Sequence, residues 1–142
     1  GCGLGLPSLV AARVGFAVTA TDYEEPALEA VRFNAERNGL GPIATRVLDW
    51  RSIPDDCTGF DRVVAADVLY EAHHPAVVAA VIARTLAAGG IALVADPCRA
   101  KAAGFPGACA AAGLRVERGR ARRPHGATDG PAVEIYRVTH GP

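Results

Sequence analysis

Short apolar runs alternate along this chain with apolar positions at helical spacing, and the alternation predicts its elements. Pro7 and the run Ser8-Leu9-Val10-Ala11-Ala12 read as a helix ended by Val14-Gly15, since proline is tolerated in a helix's first turn. Residues 16–21 read as a short buried strand. Leu28, Val31 and Ala35 recur at helical spacing and give 26–38 one buried face. Pro26 suits that helix's first turn, Glu24 and Glu25 suit its positive end, and Asn38-Gly39 supplies the stop. Strands are predicted over 43–48 and, as a buried strand, over 60–66, with a loop over 52–58 between them. A helix over 75–88 carries Val78, Val81, Ile82, Thr85 and Leu86 on one face and stops at Gly89-Gly90, before a strand over 91–95. Residues 100–112 look helical, weakened by Gly104 and Pro106. Leu114-Arg115-Val116 and 133–138 read as an antiparallel pair, and the stretch 120–130, with Pro124, Gly126 and Gly130, as a long loop.

Strands alternating with helices imply an α/β fold, Rossmann-like and doubly wound. Its sheet is mostly parallel, with an antiparallel C-terminal strand pair, in one domain over 1–142. In such sheets ligands sit beyond the C-terminal ends of the strands. Gly1, Gly3 and Gly5, with Asp22, Asp49, Asp67 and Asp96, all fall at predicted strand ends, which places a glycine turn and four carboxylates along one rim.

Composition narrows the function classes. The 15 basic and 15 acidic residues cancel, so nothing global favours nucleic acid or a membrane surface. A local bias, Arg115, Arg118, Arg120, Arg122 and Arg123, reads as a solvated edge, with contact to an acidic substrate as the alternative. Cys2, Cys57, Cys98 and Cys109 are widely spaced and include no C-x-x-C pair, which argues against zinc and a disulfide framework and for reduced, cytoplasmic thiols. No apolar run is long enough to span a membrane. Methionine is absent, at position 1 as elsewhere, and the sequence reads as a piece of a longer chain.

The chemistry concentrates in three stretches. Gly1-Cys2-Gly3-Leu4-Gly5-Leu6 suits a tight turn that lets backbone approach a ligand and opens a helix whose first N–H groups face it. Asp22 lies 17 positions beyond Gly5, at the end of the next strand, where a carboxylate accepts from both hydroxyls of a ribose. Nicotinamide dinucleotides and S-adenosylmethionine both present one. A dinucleotide fingerprint wants G-x-G-x-x-G, whereas this spacing is G-x-G-x-G with Leu6 at the last position. At Asp49-Trp50 the carboxylate suits an adenine amino group and the indole its ring; the alternative is a strand end and a core cover. Asp67 and Tyr70 fall on the rim near any transferable group, or else serve as a helix cap and a half-buried ring. His73-His74 reads as surface loop, as do His125 and His140.

Taken together, Gly1–Ser8, Thr21-Asp22, Asn34, Asn38, Asp49-Trp50 and Ala66-Asp67-Val68-Leu69-Tyr70-Glu71 resemble the seven-β-strand S-adenosylmethionine-dependent methyltransferases. Within them the similarity is to the protein-lysine and nicotinamide N-methyltransferase-like group, with the D-x-x-Y of Asp67 and Tyr70 its most specific piece. The resemblance implies S-adenosylmethionine as cofactor and a protein or small-molecule amine as acceptor. It puts Gly1, Gly3 and Gly5 against the methionine part, Asp22 on the ribose, Asp49 and Trp50 on the adenine, and Asp67 beside the methyl donor. Cys2, Tyr23 and Ala66 complete the cofactor set, Tyr70 shapes the acceptor pocket and Asp96-Pro97 lines its far side. Asp67 and Tyr70 are then the candidate catalytic residues. The chain lacks the first strand and upstream segment of that pattern. A nicotinamide-dependent oxidoreductase and a non-catalytic binding domain remain the competing readings.

Overall fold

A computed structural model describes residues 1–121 and 132–141. Its elements are α1 (Leu6–Arg13), β1 (Thr19–Asp22), α2 (Glu25–Arg37), β2 (Ala44–Val47), β3 (Phe60–Ala66), α3 (His74–Thr85) and β4 (Leu86–Asp96). A 3-10 helix (Ala100–Gly104), α4 (Phe105–Ala111), β5 (Leu114–Arg120) and β6 (Glu134–His140) follow. The α/β class holds. The chain divides into two compact units, Gly1–Ile53 and Pro54–Pro142.

In the first unit β1 pairs parallel with β2, Asp22 opposite Val47. Four helix-spaced and strand-borne side chains, Ala20, Val31, Ala35 and Ile43, form its buried core, with Cys2, Leu9, Ala12, Val18 and Leu40 packed against them. The predicted face of α2 is the one buried: Leu28, Val31 and Ala35. Pro26 sits in its first turn, and Gly39 follows the Asn38 cap with φ +62°. The strand begins later than the sequence reading had it, at Thr19, and Phe16 is exposed.

In the second unit the strand order is β3-β4-β6-β5. β3 and β4 are parallel, and β6 runs antiparallel to both β4 and β5. Val94 and Val138 on the sheet, Ile82 on α3, and Phe105 and Cys109 on α4 are all buried. Phe105 meets Tyr136 edge-on, ring centroids 5.2 Å apart.

Two expectations are corrected. The helix over 75–88 ends at Thr85, because Leu86 already has extended backbone. Gly89 (φ +75°) and Gly90 stop no helix; they sit in β4, where its register with β3 shifts between Phe60 and Arg62. A Cβ on Gly90 would lie 2.9 Å from the Ala87 carbonyl, so the irregularity requires glycine there. The strand over 60–66 has the predicted bounds but is not buried: among the described residues β3 is the edge of its sheet, bonded to β4 alone, and Val64 is 53% exposed. An apolar run reads as a buried strand only if both of its faces are covered. The predicted loop over 120–130 lies largely outside the described residues, as does His125.

Candidate functional site

Each unit gathers its candidate residues at the C-terminal ends of neighbouring parallel strands: Asp22 ends β1 and Asp49 follows β2, while Asp67 follows β3 and Asp96 ends β4.

In the first unit the glycine turn is built around Asp22. The Cys2 N–H donates to the Thr21 carbonyl at 2.9 Å and the Gly5 N–H to that of Cys2 at 2.9 Å. The Gly3 N–H donates to Asp22 Oδ2 at 3.0 Å, and the Glu24 N–H to Oδ1 at 3.2 Å. Asn34, from α2, donates its side-chain amide to the Leu4 carbonyl at 3.0 Å and ties the turn down from behind. The glycines do different work. Gly5 (φ +85°) packs inward, where a Cβ would meet Val31 Cγ2 at 2.7 Å; Gly3 (φ +52°) faces open space. Asp22 is only 6% exposed. Burial pushes its carboxyl up, but the backbone donors of Gly3, Glu24 and Tyr23, with the Gly1 ammonium 3.8 Å away, together hold the pKa below the usual range. The result is an ionised acceptor.

Asp49 and Trp50 follow β2, both half-buried. The carboxylate of Asp49 is already engaged. Arg51 donates its backbone N–H to Oδ1 at 2.9 Å, and its guanidinium donates to both oxygens, the shortest bond 2.7 Å from Nη2 to Oδ2. These bonds lower the pKa of Asp49 to about 2. Tyr23 is exposed.

In the second unit Ala66 ends β3, and Asp67 turns the chain with φ +57°, a left-handed conformation that aspartate adopts more readily than most residues. Its N–H donates to the Ala95 carbonyl of β4 at 2.8 Å. Asp67 is not the cap of α3, a position held by His73. Its carboxylate takes a two-pronged pair from Arg99, Nε to Oδ1 and Nη2 to Oδ2, the latter at 2.7 Å. That pair holds its pKa below the ordinary range. Tyr70 is 51% exposed and meets the His74 ring edge-on at 4.6 Å. His74 is no surface loop residue. It opens α3, is buried, and its Nδ1 lies 2.8 Å from the Val68 carbonyl. A carbonyl only accepts, so Nδ1 carries the hydrogen. Tyr70 thus rests on a ring fixed by its own turn.

Asp96 is fully buried; its Oδ1 accepts from the Arg99 N–H at 2.6 Å, and its Oδ2 has no hydrogen-bond partner among the described residues. Sequence reasoning missed Arg51, Arg99 and His74 as parts of these sites. Arg51 stands two residues from its partner and could have been found by proximity. Arg99 is separated from Asp67 by 32 positions and had no local signal.

An α/β chain with an ionised acid at the end of the first strand, tied to a left-handed glycine turn that opens a helix, has the makings of a nucleoside-binding enzyme domain. The family is specific: the chain belongs to the methyltransferase domain family, whose model matches residues 1–94. It is 31% identical over 113 residues to a protein-lysine N-methyltransferase of Schizosaccharomyces pombe, covering 70% of this chain and 37% of that protein. It is 34% identical over 74 residues to a protein N-lysine methyltransferase of Xenopus tropicalis, covering 49% and 34%. The chain thus spans about a third of the length of these curated relatives. A TehB-like SAM-dependent methyltransferase from Corynebacterium glutamicum superposes with a TM-score of 0.76 over 99% of this chain and 77% of that one, at 19% identity. S-adenosylmethionine is the cofactor that goes with this family and fold. The residues fit it: Gly3 leaves the turn open to close approach, and Asp22 is a charged acceptor beside it. No helix among the described residues is long and apolar enough to cross a membrane.

Proposed function

We propose that this chain transfers the methyl group of S-adenosylmethionine to an amine, with a lysine side chain of a protein as the first candidate and a small N-nucleophile as the second. The observation that carries the reading is the bond from the Gly3 N–H to an ionised Asp22. Family membership supports methyl transfer, and the two lysine methyltransferase relatives favour lysine over other acceptors. The G-x-G-x-G spacing with Leu6 favours the same cofactor over a dinucleotide.

When bound, the cofactor supplies an electrophilic methyl on a sulfonium, already a good leaving group. The residues of the chain then have to bind, orient and exclude water. Gly1, Cys2 and Gly3 offer backbone to the methionine part, with Gly5 closing the turn behind them, and Asp22, next to Tyr23, accepts from the ribose hydroxyls. Asp49 accepts from the adenine amino group by taking a share of its carboxylate back from the exposed Arg51, and Trp50 flanks the ring. The resemblance assigns Ala66 and Asp67, in the second unit, to the methyl donor. Asp67 orients the amine as a hydrogen-bond acceptor; its lowered pKa makes it a poor proton acceptor. Tyr70, braced by His74, shapes the approach to it. The amine would lose its proton to solvent before it meets the methyl group.

The test is calorimetric titration with S-adenosylhomocysteine, with NADH as competitor and Asp22→Ala as control. Binding that Asp22→Ala abolishes supports the reading; NADH binding without S-adenosylhomocysteine binding overturns it. Tritiated methyl transfer to peptides that contain lysine, set against nicotinamide, then sorts the acceptors.

A further inference from the structure

The second unit holds an arrangement that the proposed function does not use. Asp67 keeps a left-handed backbone that is costly outside glycine, and such geometry persists only where its surroundings over-determine it. Its surroundings do so twice, through the N–H bond to Ala95 and through the Arg99 fork. Arg99 is itself anchored, since its backbone N–H donates to the fully buried Asp96 at 2.6 Å, and Cys98 just before it is the other non-glycine with positive φ among the described residues. A planar two-pronged pair fixes the carboxylate plane in a way that a point charge does not.

We propose that Arg99, held in place by Asp96, is a positioning residue for Asp67 that fixes its carboxylate and balances its charge beside the methyl donor. This rests on the reading that Asp67 faces that donor. The chemistry explains why such a device is needed. An amine attacks only when neutral, and a bare carboxylate at its side would favour the ammonium instead. The Arg99 guanidinium cancels that bias, while each Asp67 oxygen keeps a lone pair to orient the incoming N–H.

The readout is the ratio of S-adenosylmethionine to S-adenosylhomocysteine affinity, measured by calorimetry on the full-length protein. The two probes differ by one methyl group and one positive charge, so a general loss of structure weakens both together and leaves the ratio alone. Arg99→Gln uncovers the Asp67 charge and raises the ratio roughly tenfold, the scale of one unit charge several ångströms from the sulfonium near a protein surface. Arg99→Lys, which keeps the charge, stays within about threefold of the parent. Asp67→Asn lowers the ratio by a similar factor, and combining it with Arg99→Gln returns the ratio to within about threefold of the parent, because the two charges cancel. An unchanged ratio in Arg99→Gln, beside one that Asp67→Asn lowers, overturns the role of Arg99 and leaves the function standing. A double variant that departs from the parent as far as Arg99→Gln alone overturns it as well, because the two charges would then not offset each other. No binding of either probe by the parent, or a ratio indifferent to Asp67→Asn, overturns the placement of Asp67 and the inference with it.

Discussion

Replacing Gly5 with alanine separates the two reasons for glycine in the turn. Gly5 sits at φ +85°, and an added Cβ would meet Val31 Cγ2 at 2.7 Å and two further Val31 carbons at 3.3 Å. Val31 is fully buried in the core of the first unit, so it has little room to yield. The left-handed backbone costs about 1–2 kcal/mol with a side chain, and the overpacking adds about 1–3 kcal/mol. Gly5→Ala therefore loses about 2–5 kcal/mol, a large part of the stability of an ordinary domain. Gly3→Ala, with φ +52° and nothing within 4 Å, carries the backbone cost alone. Urea unfolding of both variants measures the difference, expected at about 1–3 kcal/mol. Adding Val31→Ala to Gly5→Ala recovers the packing part and shows as a favourable coupling of similar size in a double-mutant cycle. Equal losses from the two alanines, or a coupling below about 0.5 kcal/mol, would refute the assignment of Gly5 to packing and Gly3 to close approach.

Three further outcomes follow from the same geometry. Asp22 has its folded-state pKa lowered, so it contributes stability above the unfolded carboxyl pKa of about 3.9, and that stability is lost as pH falls through the folded value. Asp22→Asn should thus flatten the dependence of unfolding free energy on pH below about 4, measured by urea titration across that range. Tyr136→Phe removes the hydroxyl that donates to Glu134 Oε2 at 2.5 Å from a fully buried ring, whose pKa is pushed up to about 12 by burial and by Glu134. A loss of about 1–3 kcal/mol in thermal or urea unfolding is expected, the range for a buried bond to a charged group. Burial holds the Cys109 thiol at about 11, and Cys57 is buried too, whereas Cys98 is exposed. A thiol reagent read by mass spectrometry should therefore modify Cys98 first and reach Cys57 and Cys109 only on unfolding.

Much of the fold was legible because its punctuation is local. Pro26, the Leu28, Val31 and Ala35 spacing, and Asn38-Gly39 gave α2 to within a residue at each end, and β3 was read with its true bounds. The errors arose where distant structure decides. Whether Phe60–Ala66 is buried depends on what lies beside it, and the same residues serve a central or an edge strand. Gly89-Gly90 looks like a helix stop until the neighbouring strand gives it a register to break. His74 reads as half of a surface pair, and it is the Val68 carbonyl that draws its ring inward.

The candidate site shows the same division between acceptors and their donors. Motif spacing locates Asp22, Asp49 and Asp67, since carboxylates at strand ends are visible in one dimension. What occupies each carboxylate is a three-dimensional matter, and the three differ in a way that bears on ligand binding. Asp22 is held by backbone N–H groups that cannot swing away, so a ligand must use the lone pairs they leave. Asp49 is held by the largely exposed Arg51, an ion pair worth little against a competing donor, whereas Arg99 grips Asp67 with two prongs and leaves each oxygen a lone pair. Under the proposed assignments a ribose meets a preset acceptor, whereas an adenine arrives at a carboxylate that Arg51 already engages. On that assignment, selectivity at Asp49 is a contest of donors set by Arg51.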